Sequence, residues 1–121
     1  MAIHHVGIWV SDLERAKVFY EEFFPVTAGD KYHNPNKGFS SYFLAFEQGA
    51  RIEIMSQPGK QPGQDIGHVS IALGSKEKVD QLVEAIPQRG GEWVSGPRTT
   101  GDGYYEAVVK DPDGNLLELT P

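Results

Sequence analysis

Four residues occupy matching places in the two halves of this 121-residue chain. His5 and His68 stand 68 − 5 = 63 residues apart, and Glu53 and Glu118 stand 118 − 53 = 65 apart. A near-constant offset means that one structural position is used twice. If a pseudo-two-fold axis relates the halves, both imidazoles and both carboxylates can converge on one point. Neutral imidazole and carboxylate oxygens suit one divalent first-row cation: Ni, Zn, Co, Mn or Fe. Two carboxylates cancel its charge, and four protein ligands leave two octahedral positions for water or for adjacent substrate oxygens. A cation held this way polarises a carbonyl and stabilises the enediolate formed when the neighbouring proton leaves. A glutamate that loosens from the cation can be the base for that proton. A lone strand histidine is ordinarily a hydrogen-bonded structural residue, and a lone glutamate a solvated one. Their coincidence in both halves is what raises the ligand reading.

The elements that must position these side chains repeat as well. Ile3-His4-His5-Val6-Gly7-Ile8-Trp9-Val10 opens one half, and Ile66-Gly67-His68-Val69-Ser70-Ile71-Ala72-Leu73 opens the other. Each alternates as a half-buried strand should. His5, Gly7 and Trp9 share one face, and Val6, Ile8 and Val10 the other. Glu53 between Ile52 and Ile54, and Glu118 between Leu117 and Leu119, point away from their apolar neighbours. A helix follows each opening. Ser11 with Glu14 reads as a capping box before Leu13, Ala16, Phe19, Tyr20 and Phe23. Ser75 caps a second helix carrying Val79, Leu82, Val83 and Ile86, weakened at Pro87 and stopped by Gly90-Gly91. Strands are expected over 26–33, 39–46 and 50–56, and again over 92–95, 103–110 and 115–120, with turns at Gln48-Gly49 and Asp111-Pro112-Asp113-Gly114. The reading is one domain over 1–121: module one over about 1–57, a Pro/Gly linker over about 58–64, and module two over about 65–121. Its class is α+β with a mostly antiparallel sheet.

Other residues carry weaker signals. His4 alternates with His5 and reads as structural or exposed. His33 reads as a loop residue, with a substrate contact as its alternative. Trp9 serves equally as core or as pocket wall. The Asp111–Gly114 turn resembles a calcium-loop fragment that lacks the remaining ligands, and Gly101-Asp102-Gly103 lacks phosphate-loop spacing. Seventeen acidic against 11 basic residues give a net charge of −6, which argues against nucleic acid as a partner. The absence of cysteine excludes disulfides, thiolate nucleophiles and thiolate-bound zinc. No apolar run is long enough to span a bilayer, and Met1-Ala2-Ile3-His4-His5 lacks a signal peptide's basic start and apolar core. A cytoplasmic protein with a small-molecule substrate is expected, with no membrane or nucleic-acid partner.

Taken together, His5-Val6-Gly7-Ile8-Trp9-Val10-Ser11-Asp12-Leu13-Glu14-Arg15-Ala16 with Phe19-Tyr20 resembles the opening of vicinal oxygen chelate proteins, the glyoxalase I, bleomycin-resistance and extradiol dioxygenase superfamily. Gly67-His68-Val69-Ser70-Ile71 resembles the family's second-half opening. Arg51-Ile52-Glu53-Ile54-Met55 resembles its middle strand, and Asp111-Pro112-Asp113-Gly114-Asn115-Leu116-Leu117-Glu118-Leu119 its C-terminal signature. The resemblance implies two βαβββ modules forming a curved, mostly antiparallel eight-stranded sheet around a metal cleft, with helices outside. It implies His5, Glu53, His68 and Glu118 as metal ligands, Glu118 or Glu53 as the catalytic base, and a homodimer. Extradiol dioxygenases need only the match to His5, His68 and Glu118, so Glu53 tilts the reading towards a glyoxalase I-like lyase or isomerase. Glutathione-using members commonly place Arg where this chain has Trp9 and Asn where it has Gln57. Phe24-Pro25 likewise replaces their Leu-Gly. An aromatic ring cannot pair a carboxylate as a guanidinium fork does, so Trp9 and Gln57 weaken the case for glutathione, whereas Phe24-Pro25 implies only a changed helix exit. Trp9 and Gln57 are the candidate substrate-binding positions. Alternative readings are a binding or antibiotic-resistance protein that sequesters a small molecule, a ring-cleaving dioxygenase, and an epoxide-opening resistance enzyme.

Overall fold

The computed structural model of the chain describes residues 4–63, 67–100 and 103–121. Met1, Ala2, Ile3, Gln64, Ile66, Gly101 and Asp102, which figure in the expectations above, lie outside the described residues. The chain divides into two compact units, Met1–Asp65 and Ile66–Pro121, parted at the end of the expected linker. The first contains β1 (His5–Trp9), α1 (Leu13–Phe23), β2 (Thr27–Ala28), β3 (Tyr32–Asn34), β4 (Phe39–Ala45) and β5 (Arg51–Ser56). The second contains β6 (Val69–Ala72), α2 (Lys76–Ala85), a 3-10 turn (Ile86–Arg89), β7 (Glu92–Thr99), β8 (Tyr105–Lys110) and β9 (Leu116–Thr120).

Each unit builds its own mixed sheet. The strand order is β1-β5-β4-β2 in the first, with β3 also on β4, and β6-β9-β8-β7 in the second. The first and last strands of each module pair in parallel, and all other pairs are antiparallel. The α+β class and the strand–helix–strand repeat thus match expectation, with the strands distributed over two sheets, of five and four. The extra strand arises because the stretch expected as one strand over 26–33 is interrupted. Ala28 faces Leu44 and Tyr32 faces Ser41, so one strand spends a residue more than β4 over the same interval.

Burial fixes which way the sheets face. Ile8, Val10, Tyr42, Leu44, Ile52 and Ile54 are buried on the side that receives Leu13, Ala16, Phe19 and Tyr20 of α1. In the second unit Ile71, Ala107, Val109, Leu117 and Leu119 are buried together with Val79 of α2 and Ile86. Each buried Val, Leu, Ile or Phe side chain among them contributes about 1.5–3 kcal/mol relative to exposure. A one-residue slip of β5 would exchange Ile52 and Ile54 for Glu53, so the register is strongly specified.

The helix starts differ in detail from expectation. Asp12, not Ser11, caps α1: its Oδ1 accepts from the Arg15 amide at 3.0 Å. Ser11 Oγ accepts from the Arg15 guanidinium instead, at 3.1 Å. Glu14 does not close a capping box, because β4 and a neighbouring lysine claim it. Its carboxylate accepts from the Tyr42 hydroxyl at 3.0 and 3.1 Å and meets Lys31 Nζ at 3.2 Å. Ser75 caps α2 as expected, accepting from the Lys78 amide at 3.3 Å. Gly90, at φ 95°, ends the tightened turn around Pro87.

The β8–β9 turn secures the strand that carries Glu118. Asp111 is buried, and its Oδ1 accepts from the amides of Asp113 and Asn115 at 2.9 Å each. Its Oδ2 accepts from Asn115 Nδ2 at 2.9 Å. The carboxylate is therefore filled by protein donors, a structural role rather than a calcium-binding one. Among the described residues, no helix is long and apolar enough to cross a membrane.

Two outcomes follow from these clamps. The hydrogen bonds from Lys31 and then Tyr42 hold the Glu14 carboxyl below its ordinary value of 4.5. A lowered folded-state value means the stabilisation is complete above the unfolded value and is lost as pH falls through the folded one. The melting-temperature gap between wild type and Glu14→Gln should therefore be full at neutral pH and shrink as the pH falls below the ordinary carboxyl value of 4.5; a constant gap would refute the clamp. Asp111→Ala should cost about 1–3 kcal/mol in urea unfolding, because it strands buried amides. A wild-type midpoint would count against that role.

Candidate metal centre

In module one the parallel pairing of β1 and β5 sets Gly7 opposite Glu53. His5 lies two residues before Gly7 and on the same face. Its Nε2 lies 3.6 Å from Glu53 Oε1, with the two side chains 36% and 15% exposed. That is too long for a hydrogen bond, so neither atom is committed to the other. His5 stands edge-on to Phe43 at 5.0 Å between ring centroids, and Phe43 is the β4 neighbour of Glu53. Gly7 leaves room for the end of the Met55 side chain: a Cβ there would come within 2.9 Å of Met55 Cε and 3.3 Å of Sδ, so that side chain would have to shift.

Module two repeats the arrangement. β6 and β9 pair in parallel with Ser70 opposite Glu118. His68 lies two residues before Ser70 and immediately precedes β6, rather than within the strand as expected. Its Nε2 lies 3.5 Å from Glu118 Oε2, with side-chain exposures of 54% and 26%. Ser70 Oγ donates to the other carboxylate oxygen, Oε1, at 3.1 Å. Sequence reasoning passed over Ser70, although it stands 70 − 7 = 63 residues from Gly7, the same offset that relates the histidines. Glu118 also lines a cavity of about 340 Å³ with Thr100, Tyr104, Glu106 and Thr120.

Each unit therefore brings one histidine and one glutamate together. Among the described residues, no group of three or more acidic or histidine side chains gathers to hold a metal within either unit. Two imidazoles and two carboxylates, with no thiol, remain a fitting donor set for a first-row divalent cation.

The remaining candidates fall as follows. Trp9 shares the β1 face with His5, edge-on to Phe39 at 6.2 Å, with Lys60 Nζ 5.4 Å above its ring. Gln57 directly follows β5, and its Nε2 lies 3.5 Å from the Lys37 carbonyl oxygen. His33 is in β3 rather than a loop, with Nδ1 2.7 Å from Ser40 Oγ. His4 precedes β1, where the pleat no longer governs its direction, and its ring meets that of His5.

Comparison with known proteins gives these pairs a context. A putative lactoylglutathione lyase of Brassica oleracea var. gemmifera is 34% identical over 95% of this chain, which spans 42% of that protein. The lactoylglutathione lyase of Haemophilus influenzae is 29% identical over 98% of this chain and 91% of its own length. Glyoxalase I from Zea mays superposes with a TM-score of 0.80 at 28% identity, covering 98% of this chain and 44% of that one. The chain thus spans less than half the length of the plant proteins it matches. A family model matches residues 2–119, and on that match the chain belongs to the Glyoxalase/Bleomycin resistance protein/Dioxygenase superfamily.

Proposed function

We propose that the chain is a metal-dependent lyase or isomerase of the glyoxalase I type, acting on a small oxygen-rich substrate. The observation that carries this reading is the repeated pair, a histidine Nε2 and a glutamate oxygen 3.6 Å apart in one module and 3.5 Å apart in the other. Relatives named lactoylglutathione lyase support it. His5, Glu53, His68 and Glu118 would hold one divalent cation, gathered within one chain or from complementary modules of two copies in a homodimer. When bound, the cation supplies polarisation of a carbonyl oxygen and stabilisation of negative charge on it.

The chain's own residues do the rest. Glu118 or Glu53 takes a proton from the carbon beside the carbonyl and returns it to the adjacent carbon. Ser70 anchors Glu118 by Oε1 and leaves Oε2 towards His68, whereas Gly7, opposite Glu53, has no side-chain donor to offer. Trp9, Phe39 and Tyr32 form an aromatic row, with ring centroids 6.2 and 6.0 Å apart. Such a row accepts an apolar substituent and offers no fork for a carboxylate. Gln57, just beyond β5, holds a side-chain amide directed at the Lys37 carbonyl oxygen that a substrate could recruit.

Protein purified without chelator should carry a divalent metal by elemental analysis, and a chelator should abolish isomerisation of 2-oxoaldehyde hemithioacetals. Tight ligand binding by a metal-free protein would instead favour sequestration. Glu118→Gln should lower kcat by at least about 100-fold while part of the metal stays bound. Full activity in that variant would remove the proposed role of Glu118.

A further inference from the structure

The two modules differ in what stands beside the glutamate. In module two the cavity of about 340 Å³ that Glu118 lines is otherwise walled by Thr100, Tyr104, Glu106 and Thr120. Small-molecule sites usually span about 300–1,000 Å³ and are lined mostly by apolar side chains. Here every lining side chain among the described residues carries an oxygen.

The strands account for that wall. Thr120 follows Glu118 by two residues in β9 and shares its face, while Leu119 between them is buried. One step beyond the pairing of Ala107 with Leu119, the β8–β9 register sets Glu106 opposite Thr120. Ala107 is buried, so Glu106 turns to the face that carries Thr120. At the open end the Thr100 amide donates to the Tyr104 carbonyl oxygen at 2.7 Å. Thr100 Oγ1 accepts in return from the Tyr104 amide at 2.9 Å. The offset that relates the two glutamates, 118 − 53 = 65, also relates Glu106 to Ser41 and Thr120 to Met55. In module one the end of the Met55 side chain occupies the space beside Gly7. Module two puts a threonine and a carboxylate at those places and leaves a cavity.

Glu106 has acceptor capacity to spare. Its side chain is 19% exposed, and its Oε1 accepts from Arg98 Nη2 at 3.2 Å across the β7–β8 ladder. Among the described residues, no donor meets its Oε2, and the hydroxyls of Tyr104 and Thr120 have no partner. A hydroxyl group both donates and accepts, so a hydroxylated carbon chain can satisfy all three. An alkyl group would cover the carboxylate without giving it a donor, which is costly. An anionic group would face the like charges of Glu106 and Glu118.

We infer that Glu106 is a specificity-determining residue and that this cavity takes a neutral, hydroxyl-bearing substituent of the substrate carbonyl. The inference deepens the proposed isomerase reading and rests on it for the reaction, but binding of the hydroxylated group is measurable without turnover.

The test uses the full chain and two readouts. Hydroxypyruvaldehyde and methylglyoxal differ by one hydroxyl, and each is offered as its hemithioacetal with glutathione and with 2-mercaptoethanol. Wild type should favour the hydroxylated aldehyde by at least about 10-fold in kcat/KM, since a site built for a hydroxyl rejects the analogue lacking it. Glu106→Leu should bring that ratio near one, and Thr120→Val should lower it in the same direction. Glu106→Gln keeps an acceptor oxygen and should retain most of the preference. In the second readout, erythritol should shift the Thr120 methyl NMR signal saturably in wild type, and 1-butanol should not. Glu106→Leu should abolish the erythritol response. Equal handling of the two aldehydes by wild type, or a preference that Glu106→Leu and Thr120→Val both leave intact, overturns the inference. If neither aldehyde is turned over, the isomerase reading fails and the titration decides alone. An erythritol response lost in Glu106→Leu then upholds the hydroxyl-binding cavity, and its absence from wild type overturns it.

Discussion

The parallel pairing of the first and last strands of each module is the constraint on which the candidate site depends. Neither histidine is near its glutamate in sequence, and only the β1–β5 and β6–β9 ladders bring them together. The ladders hold because each strand commits alternate residues to a helix-covered core. Ile52 and Ile54 flank Glu53, and Leu117 and Leu119 flank Glu118, all of them buried. Hydrophobic burial on one face thus dictates what the other face displays, and two ordinary apolar strands become a platform for two polar donors.

Duplication set the plan, but the two copies have diverged in which partner they restrain. Module one surrounds its histidine with His4, Arg51 and Phe43 and places a glycine opposite its carboxylate. Module two ties its carboxylate to Ser70 and leaves its histidine largely open. To adopt the serine device, the Gly7 position would need the end of the Met55 side chain to move aside. Each module therefore offers one restrained donor and one less restrained donor, in opposite order.

Much of this was legible in the chain. Strand parity put His5, Glu53 and Glu118 on the faces opposite their apolar neighbours, because a two-residue period leaves no other choice. The matching offsets picked out both histidine–glutamate pairs that the ladders bring together. What escaped were choices made by competition between neighbours. Asp12 displaced Ser11 as the cap, and Tyr42 with Lys31 drew Glu14 away from the helix end. One extra residue between Ala28 and Tyr32 divided a strand. His4 lies where alternation ends, so its contact with His5 depends on Arg51, 47 residues further along. The capture of Asp111 by its own turn was likewise invisible to composition, which showed only an acidic, glycine-bearing motif.

The ammonium of Lys60 rests above the indole of Trp9, and both residues belong to the first unit. Any molecule that stacks on that indole face must first dislodge the ammonium. Occupancy of that indole face is therefore coupled to where the Lys60 side chain sits, within the first unit.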